Sequence, residues 1–326
     1  MIKNLLVLFP LSDSHKSELA ARLPDTKIVY STMAGATAEE VAAADVICGN
    51  PPHKTLEAAK NLKWLHLCSA GTDGYIPYAR GGLMLTNGTG AYDAVLPEHM
   101  LALLFALNAR ICDYKDSQRA HSWGRLGWSD YIDGSTCLML GAGNIGCGFL
   151  RRMKALGAYT IGVRRSGTEK PEYVDEMYDM GKIDQLLPRA DIVAMALPGT
   201  PETAGIMDAR RFALMKKGAK LINCGRGNAV SPEALADALK SGHLSGAGID
   251  VAYQEPLPED SYLWDVPNLI ITPHIAGGWN ISSDSTSPYM EKAVFNTFIK
   301  NLDDYLAGRE LTNTVDLKTG YRQSAK

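Results

Sequence analysis

The sequence predicts an α/β protein built on a doubly wound parallel sheet, and three observations carry that prediction. Short apolar runs alternate with helix-forming stretches through most of the 326 residues. In the second half, candidate strands at 138–140, 159–163, 191–197, 220–223, 247–251 and 269–272 are separated by connections long enough for crossovers. The first of these runs ends in Gly141-Ala142-Gly143-Asn144-Ile145-Gly146, a tight turn leading into helix formers.

From the amino terminus, residues 4–9 read as a buried strand, and Ser12-Asp13-Ser14 can cap a helix running to about Leu23. Residues 27–30 are a second strand. Thr37 and Glu40 stand at capping-box spacing ahead of a short helix and the apolar run 46–48. Residues 62–67 are a further strand, followed by Cys68-Ser69-Ala70-Gly71-Thr72-Asp73-Gly74. Small residues just past a parallel strand expose backbone N–H groups, which suits a carboxylate; a plain glycine turn fits these residues equally well. Residues 97–110 start with Pro97 and Glu98, then carry Leu101, Leu104, Phe105 and Leu107, with Ile111 beyond. A helix so apolar nearly all round belongs between domains or subunits. Residues 113–134 hold Tyr114, Trp123, Trp128 and Tyr131 with little periodicity, which fits an arm packing on a partner subunit or a self-packed loop.

In the glycine-rich turn, Gly141 allows the reversal, Gly143 lets a pyrophosphate approach the backbone, and Gly146 lets helix and strand pack closely. Phosphates would lie against the N–H groups and positive dipole end of the new helix. The next apolar run follows at the spacing of one βαβ unit, so a dinucleotide site is expected here. Nucleotide proteins that use NAD place a carboxylate about 20 residues beyond these glycines to bind the ribose diol. Here Arg164, Arg165 and Ser166 stand there instead, suited to a 2′-phosphate, so NADPH is expected over NADH, with NAD the second choice. Further on, Ser231 caps a helix, Pro232 takes its first position and Gly242 follows its last turn. Residues 288–306 form a long helix with Val294, Phe295, Phe298, Ile299, Leu302 and Leu306 on one face, stopped by Gly308.

Composition narrows the function. A net charge of −3 with 21% charged residues gives no basic field for nucleic acid or an anionic membrane. No apolar stretch approaches the ~18 residues of a membrane span. The apolar start contains Pro10 and lacks a small-residue cleavage site, so it reads as a strand and not a signal peptide. Six cysteines without a CxxC pair read as reduced thiols of a cytoplasmic protein, neither a disulfide framework nor a metal site. Cys147 opens a helix, where a lowered thiol pKa is conceivable, but a packing role is expected.

In an open parallel sheet, ligands bind outside the carboxyl ends of the strands. Just past successive strand ends come Asn223-Cys224-Gly225-Arg226-Gly227, then Asp250 and Glu255-Pro256-Leu257-Pro258, then Pro273-His274-Ile275-Ala276-Gly277-Gly278. One arginine, two carboxylates and one histidine therefore converge on the crevice beside the glycine-rich turn.

At these residues the chain resembles the D-isomer-specific 2-hydroxyacid dehydrogenases. The resemblance rests on Ser69-Ala70-Gly71, Glu98-His99, the 141–146 turn, Leu197-Pro198 with Thr200-Pro201-Glu202-Thr203, Gly225-Arg226-Gly227, Asp250, Glu255-Pro256-Leu257-Pro258 and Pro273-His274-Ile275. The steps of 29 residues from Arg226 to Glu255 and 19 to His274 fit the family's reductases. The resemblance implies a catalytic group of Arg226, Glu255 and His274. It implies cofactor contacts from the glycine turn, Arg164, Arg165, Ser166, Leu197, Pro198, Thr203, Cys224, Gly225, Asp250, Ala276 and Gly277, with Asp250 at the nicotinamide end. Ala70, Gly71 and Thr72 would bind substrate. It further implies a Rossmann nucleotide domain at 87–279, inserted in a smaller flavodoxin-like substrate domain of 1–86 plus 280–326, and homodimers formed through the nucleotide domain.

The expected activity is hydride transfer between NAD(P)H and a small 2-keto acid or D-2-hydroxy acid, of the glyoxylate/hydroxypyruvate type. The alternatives are a nucleotide-sensing, corepressor-like binding protein and a 3-phosphoglycerate dehydrogenase; an oxidoreductase for phosphite or formate is a third. Two departures from the family bear on this. Gly277-Gly278-Trp279 stands where many members carry a Ser or Thr, and no regulatory domain follows residue 326, against an allosteric phosphoglycerate dehydrogenase.

Overall fold

A computed structural model describes all residues except Met1, Asp73, Arg80, Gly81, Ser166, Thr168, 281–284 and 318–326, and excepting the side chains of Trp279 and Asn280. The chain forms two compact units, Met1–Tyr92 with Gly278–Lys326, and Asp93–Gly277.

The first unit is a five-stranded sheet of β1 (Asn4–Val7), β2 (Lys27–Tyr30), β3 (Val46–Cys48), β4 (Trp64–His66) and β5 (Met84–Thr86). The order is β2-β1-β3-β4-β5, parallel throughout. The edge strand β5 is only three residues long and was not among the predicted strands. Helix α1 (Asp13–Arg22) starts after Ser12, whose hydroxyl turns to His15 Nδ1 (3.2 Å) and does not cap the helix as expected. Helix α2 (Ala38–Ala43) has the predicted capping box between Thr37 and Glu40. Leu6, Leu8, Ile47, Leu65 and Leu85 build one core face. On the other, the helix Pro288–Leu306 brings Phe298 and Tyr305 onto Trp64, with ring centroids 5.3 and 5.2 Å apart. Both ends of the chain therefore complete one unit. His66 is sealed inside it between Thr86 and Thr297 hydroxyls, and burial pushes its pKa down to about 3.

The second unit opens with α3 (Val95–Asn108) and α4 (Ile111–Arg119). Its strands and helices then alternate: β6 (Thr136–Leu140), α5 (Asn144–Ala155), β7 (Tyr159–Arg164), β8 (Glu176–Asp179), α6 (Ile183–Leu186), β9 (Ile192–Met195), α7 (Ala209–Leu214), β10 (Ala219–Asn223), α8 (Pro232–Lys240), β11 (Leu244–Ile249) and β12 (Leu269–Ile271). The parallel order β12-β11-β10-β9-β6-β7-β8 makes seven strands where six were predicted. The extra one, β8, reads Glu-Met-Tyr-Asp with only Met177 buried, so it shows no apolar run. It is an edge strand, steadied by the Glu176–Arg189 ion pair. The order reverses at β6 and β9, which is the topological switch point where ligands bind.

Side chains alternate across β6, and each face has its own core. Leu138 and Leu140 pack with Val193, Leu221 and the α8 residues Leu235 and Leu239. Cys137 and Met139 pack with Ile222, the α5 residues Phe149, Leu150 and Met153, and the α3 residues Met100, Leu103 and Leu104. Each such large side chain contributes about 1.5–3 kcal/mol by leaving water. Ser231 caps α8 as expected, with Pro232 in its first turn.

Helix α3 is not buried all round, for Phe105 is 47% exposed. Beyond α4, Trp123 and Trp128 are essentially fully exposed (104% and 96%), and Tyr131 stands out likewise. Phe105, Ile111, Tyr131, Ile132 and Leu156 line an open apolar groove of about 600 Å³. The buried Lys220 of β10 anchors this segment by pairing with Asp130. No single described helix is long and apolar enough to cross a membrane; α3 and α4 together reach that length but bend by 59°.

Candidate active site

The glycine-rich turn follows β6 at the switch point. Gly141 has φ +96°, and a Cβ there would meet the Ala196 carbonyl oxygen at 2.7 Å, so the loop after β9 lies against it. A Cβ at Gly146 would strike the Gly141 carbonyl, which is the close helix–strand contact expected. At Gly143 a Cβ would enter open space at the start of α5, whose N-terminus has no side-chain cap. That combination suits a pyrophosphate against the helix dipole. Asn144 is held by Asp93 (3.0 Å), and Ile145 packs on the core beneath the turn.

At the end of β7, Arg164 is half buried and Arg165 exposed. The Arg164 guanidinium donates to the carbonyls of Gly167 (2.8 Å) and Glu169, so it braces its own loop as well as carrying charge. Ser166 lies outside the described residues. After β9, Leu197 is buried and the Thr203 hydroxyl donates to the Pro198 carbonyl (2.5 Å), closing the 198–203 turn.

Three strand ends build the polar cluster. After β10, the buried Asn223 holds the 225–226 turn by accepting from Gly225 N–H (3.0 Å) and donating to the Arg226 carbonyl (3.1 Å). A Cβ at Gly227 would overlap the Ala252 carbonyl, so only glycine lets the loops after β10 and β11 meet. Arg226 is half buried and donates to the Gly225 carbonyl at 2.9 Å. Glu255 accepts from Ala252 N–H (3.0 Å) and pairs with His274 Nδ1 at 2.7 Å.

His274 has a left-handed backbone, φ +54°, which an L-residue adopts only when its surroundings hold it there. Asp250 holds it. His274 N–H donates to the Asp250 carbonyl (2.8 Å), Ile275 N–H to Asp250 Oδ1 (2.9 Å) and Ala276 N–H to Oδ2 (2.9 Å). The Asp250 carboxylate, 2% exposed, is engaged beneath the histidine loop. Gly277 is half buried beside Ala276.

The electrostatics follow from these contacts. The Glu255 hydrogen bond, with its charge and that of Asp250, raises the His274 pKa against burial and the Arg226 charge. Burial alone would raise Glu255, but the His274 bond and charge, Ala252 N–H and Arg226 bring it below the usual range. The site therefore holds an ionised carboxylate and an imidazole that keeps its proton to higher pH than usual. Burial pushes the Cys224 thiol up, and the same term outweighs the Arg164 charge at Cys147, so neither is an activated thiol.

In the other unit, the loop after β4 turns its carbonyls inward. Ser69 O accepts from Gly88 N–H (2.9 Å), Ala70 O from Asn87 Nδ2 (2.7 Å), Gly71 O from Ser69 Oγ (2.7 Å) and Thr72 O from Tyr75 N–H (3.0 Å). Asn50 and Tyr92 brace it through Cys68 and Ser69. Ala70 and Gly71 are half buried and Thr72 is buried. Asn50, Asn87 and Asn223 were not singled out from sequence, since a lone asparagine carries no pattern.

A Rossmann-type parallel sheet with this turn at its switch point defines a nucleotide-binding α/β protein, and the imidazole–carboxylate pair is of a kind suited to acid–base chemistry. The model of the D-isomer specific 2-hydroxyacid dehydrogenase NAD-binding domain matches residues 101–276, more than half of the chain. The chain belongs to that family and is an NAD(P)-dependent D-2-hydroxyacid dehydrogenase. A D-3-phosphoglycerate dehydrogenase of Mycobacterium leprae is 33% identical over 276 residues, 81% of this chain and 52% of that longer protein. A family member from Aeromonas salmonicida has a structure with TM-score 0.83 and 30% identity, covering 97% of this chain and 99% of that one. The NADPH-dependent glyoxylate/hydroxypyruvate reductase of Sinorhizobium meliloti, solved with NADP and sulfate, gives a TM-score of 0.78 at 25% identity, covering 98% and 100%.

Proposed function

We propose that the chain reduces small 2-keto acids of the glyoxylate and hydroxypyruvate type, with NADPH preferred. The observation that carries this reading is the 2.7 Å His274–Glu255 pair, held beside the Arg226 charge at the carboxyl ends of β10 to β12. The S. meliloti protein of similar fold is an NADPH-dependent glyoxylate/hydroxypyruvate reductase, which supports this reading.

In this reading the unit Asp93–Gly277 binds the dinucleotide. When bound, the reduced nicotinamide supplies the hydride. Arg226 presents a planar fork to the keto acid's carboxylate. As the carbonyl oxygen gains alkoxide character, His274 Nε2 delivers a proton to it. Glu255, on Nδ1, fixes the ring's orientation and favours the imidazolium that makes the delivery. In reverse, neutral His274 takes the hydroxyl proton of a D-2-hydroxy acid. Turnover of glyoxylate or hydroxypyruvate by the purified chain tests this reading.

The NADPH preference rests on Arg164 and Arg165 where a ribose-binding carboxylate would stand. Arg164 also braces its loop, so we assign the phosphate to Arg164 and Arg165 together. Loss of a charge-assisted bond costs about 1.5–3 kcal/mol. Arg165→Ala should therefore cut the ratio of kcat/KM for NADPH over NADH by about tenfold to a hundredfold. Equal kcat/KM for the two cofactors in the unaltered chain would remove the assignment and leave the catalytic group untouched.

The apolar groove of Phe105, Ile111 and Tyr131, with Trp123 and Trp128 also exposed in this unit, supports a homodimer formed through it, since large exposed apolar surface marks interaction sites. Sedimentation as a monomer at micromolar concentration would contradict it. A cytoplasmic location is supported by six free cysteines.

A further inference from the structure

The bonds beneath His274 continue to helix α3. Asp250 Oδ1 accepts the Thr272 hydroxyl at 2.6 Å, and Thr272 Oγ1 lies 3.0 Å from His99 Nε2. His99 Nε2 is itself 3.5 Å from Asp250 Oδ1. A threonine hydroxyl has a single hydrogen, and at 2.6 Å from a carboxylate that hydrogen is committed to Asp250. Toward His99 the oxygen can only accept, so Nε2 must carry the proton. The result is a directed chain from His99 Nε2–H to Thr272 Oγ1, and from Thr272 O–H to Asp250 Oδ1.

The Asp250 carboxylate then fixes two consecutive amides, those of Ile275 and Ala276, while its main-chain carbonyl takes His274 N–H. The carboxylate's orientation therefore sets the course of the loop directly after residue 274, whose backbone is left-handed. Helix α3 is a stiff base for such a chain: Met100, Leu103 and Leu104 are buried in the core on one face of the sheet. Glu98, next to His99, is tied to Arg152 of α5 at 3.2 Å.

We propose that His99 is a positioning residue for His274, acting through Thr272 and the Asp250 carboxylate. The proposal rests on the reading of His274 as the acid. His99 acts by removing freedom from the hydroxyl and carboxylate that hold the histidine loop. Without its donor, Thr272 and Asp250 gain alternative orientations, and the imidazole of His274 loses its fixed approach to the carbonyl oxygen. Misplacement of a reacting group by about 1 Å can cost a hundredfold in rate, so the loss should fall on kcat.

The test uses steady-state reduction of glyoxylate with NADPH, fluorescence titration of NADPH, and thermal unfolding. His99→Leu and Thr272→Val, the second nearly isosteric, should each lower kcat by about tenfold, with NADPH affinity changed by less than about twofold. The double variant should lose about as much as either single one, because both cut the same chain. His99→Gln, which keeps a donor near the Nε2 position, should recover most of the rate. Independent losses that multiply in the double variant, or no recovery with glutamine, would overturn the proposal, as would wild-type kcat in Thr272→Val. A normal kcat in His274→Ala would instead strike at the acid reading on which the proposal stands.

Discussion

His274→Ala is expected to lower kcat for keto-acid reduction by about two to four orders of magnitude, the usual range for losing a general acid. Dinucleotide affinity should hardly change, because the glycine turn, α5 and the β7 end are remote in sequence and bonded within themselves. The geometry also fixes the sign of the pH dependence. His274 must be protonated to donate, and its pKa is raised first of all by the Glu255 hydrogen bond. Reduction should therefore proceed fully at lower pH and decline as pH rises through that raised value. Glu255, held below the usual carboxylate range, stays ionised across the same window. In Glu255→Gln the decline should begin at lower pH, since the neutral amide no longer favours the imidazolium. A pH–rate profile with the decline unmoved would separate Glu255 from the titration of His274.

Arg226→Lys should lower kcat/KM for the keto acid by about a hundredfold. An ammonium is a point donor and cannot make two parallel bonds to a carboxylate, and each charge-assisted bond is worth about 1.5–3 kcal/mol. The loop will survive the change, because Asn223 and Gly225 hold the turn through backbone groups. Lysine also keeps the positive charge beside His274, so the pH profile should stay nearly in place while kcat/KM falls. Undiminished kcat/KM would leave Arg226 as a loop residue only.

Much of this arrangement was legible in the sequence because it depends on local rules. Buried parallel strands favour apolar runs, and β6, β7 and β9 show them most clearly. The capping box of α2 and the Ser231–Pro232 start of α8 follow from unpaired helix N–H groups. The glycine turn is legible because close approach leaves no choice of residue. Strands β5 and β8 were missed for the opposite reason: short edge strands have one neighbour and little apolar content. Helix α4 was read as irregular because its residues Asp113 to Arg119 are polar on nearly every face, and none of them is buried.

At the site, Arg226, Glu255 and His274 could be singled out because each follows a strand end. The employment of Asp250 could not. A carboxylate after a strand looks the same whether it meets a ligand or two amides of a neighbouring loop. The His99–Thr272 contact spans 173 residues, a pairing that no spacing rule reaches. The brace that Arg164 makes to its own loop was equally hidden, since a guanidinium beside a strand end suits a phosphate and a carbonyl alike.

The most direct measurement is the oxidation of NADPH by the purified chain with glyoxylate or hydroxypyruvate at neutral pH, followed by nicotinamide absorbance, with 3-phosphohydroxypyruvate run alongside. The account predicts turnover of one of the two small keto acids, abolished almost entirely in His274→Ala and faster with NADPH than with NADH. NADPH binding without turnover of either acid, in a chain whose fold is intact by circular dichroism, would contradict it and favour a nucleotide-sensing binding protein.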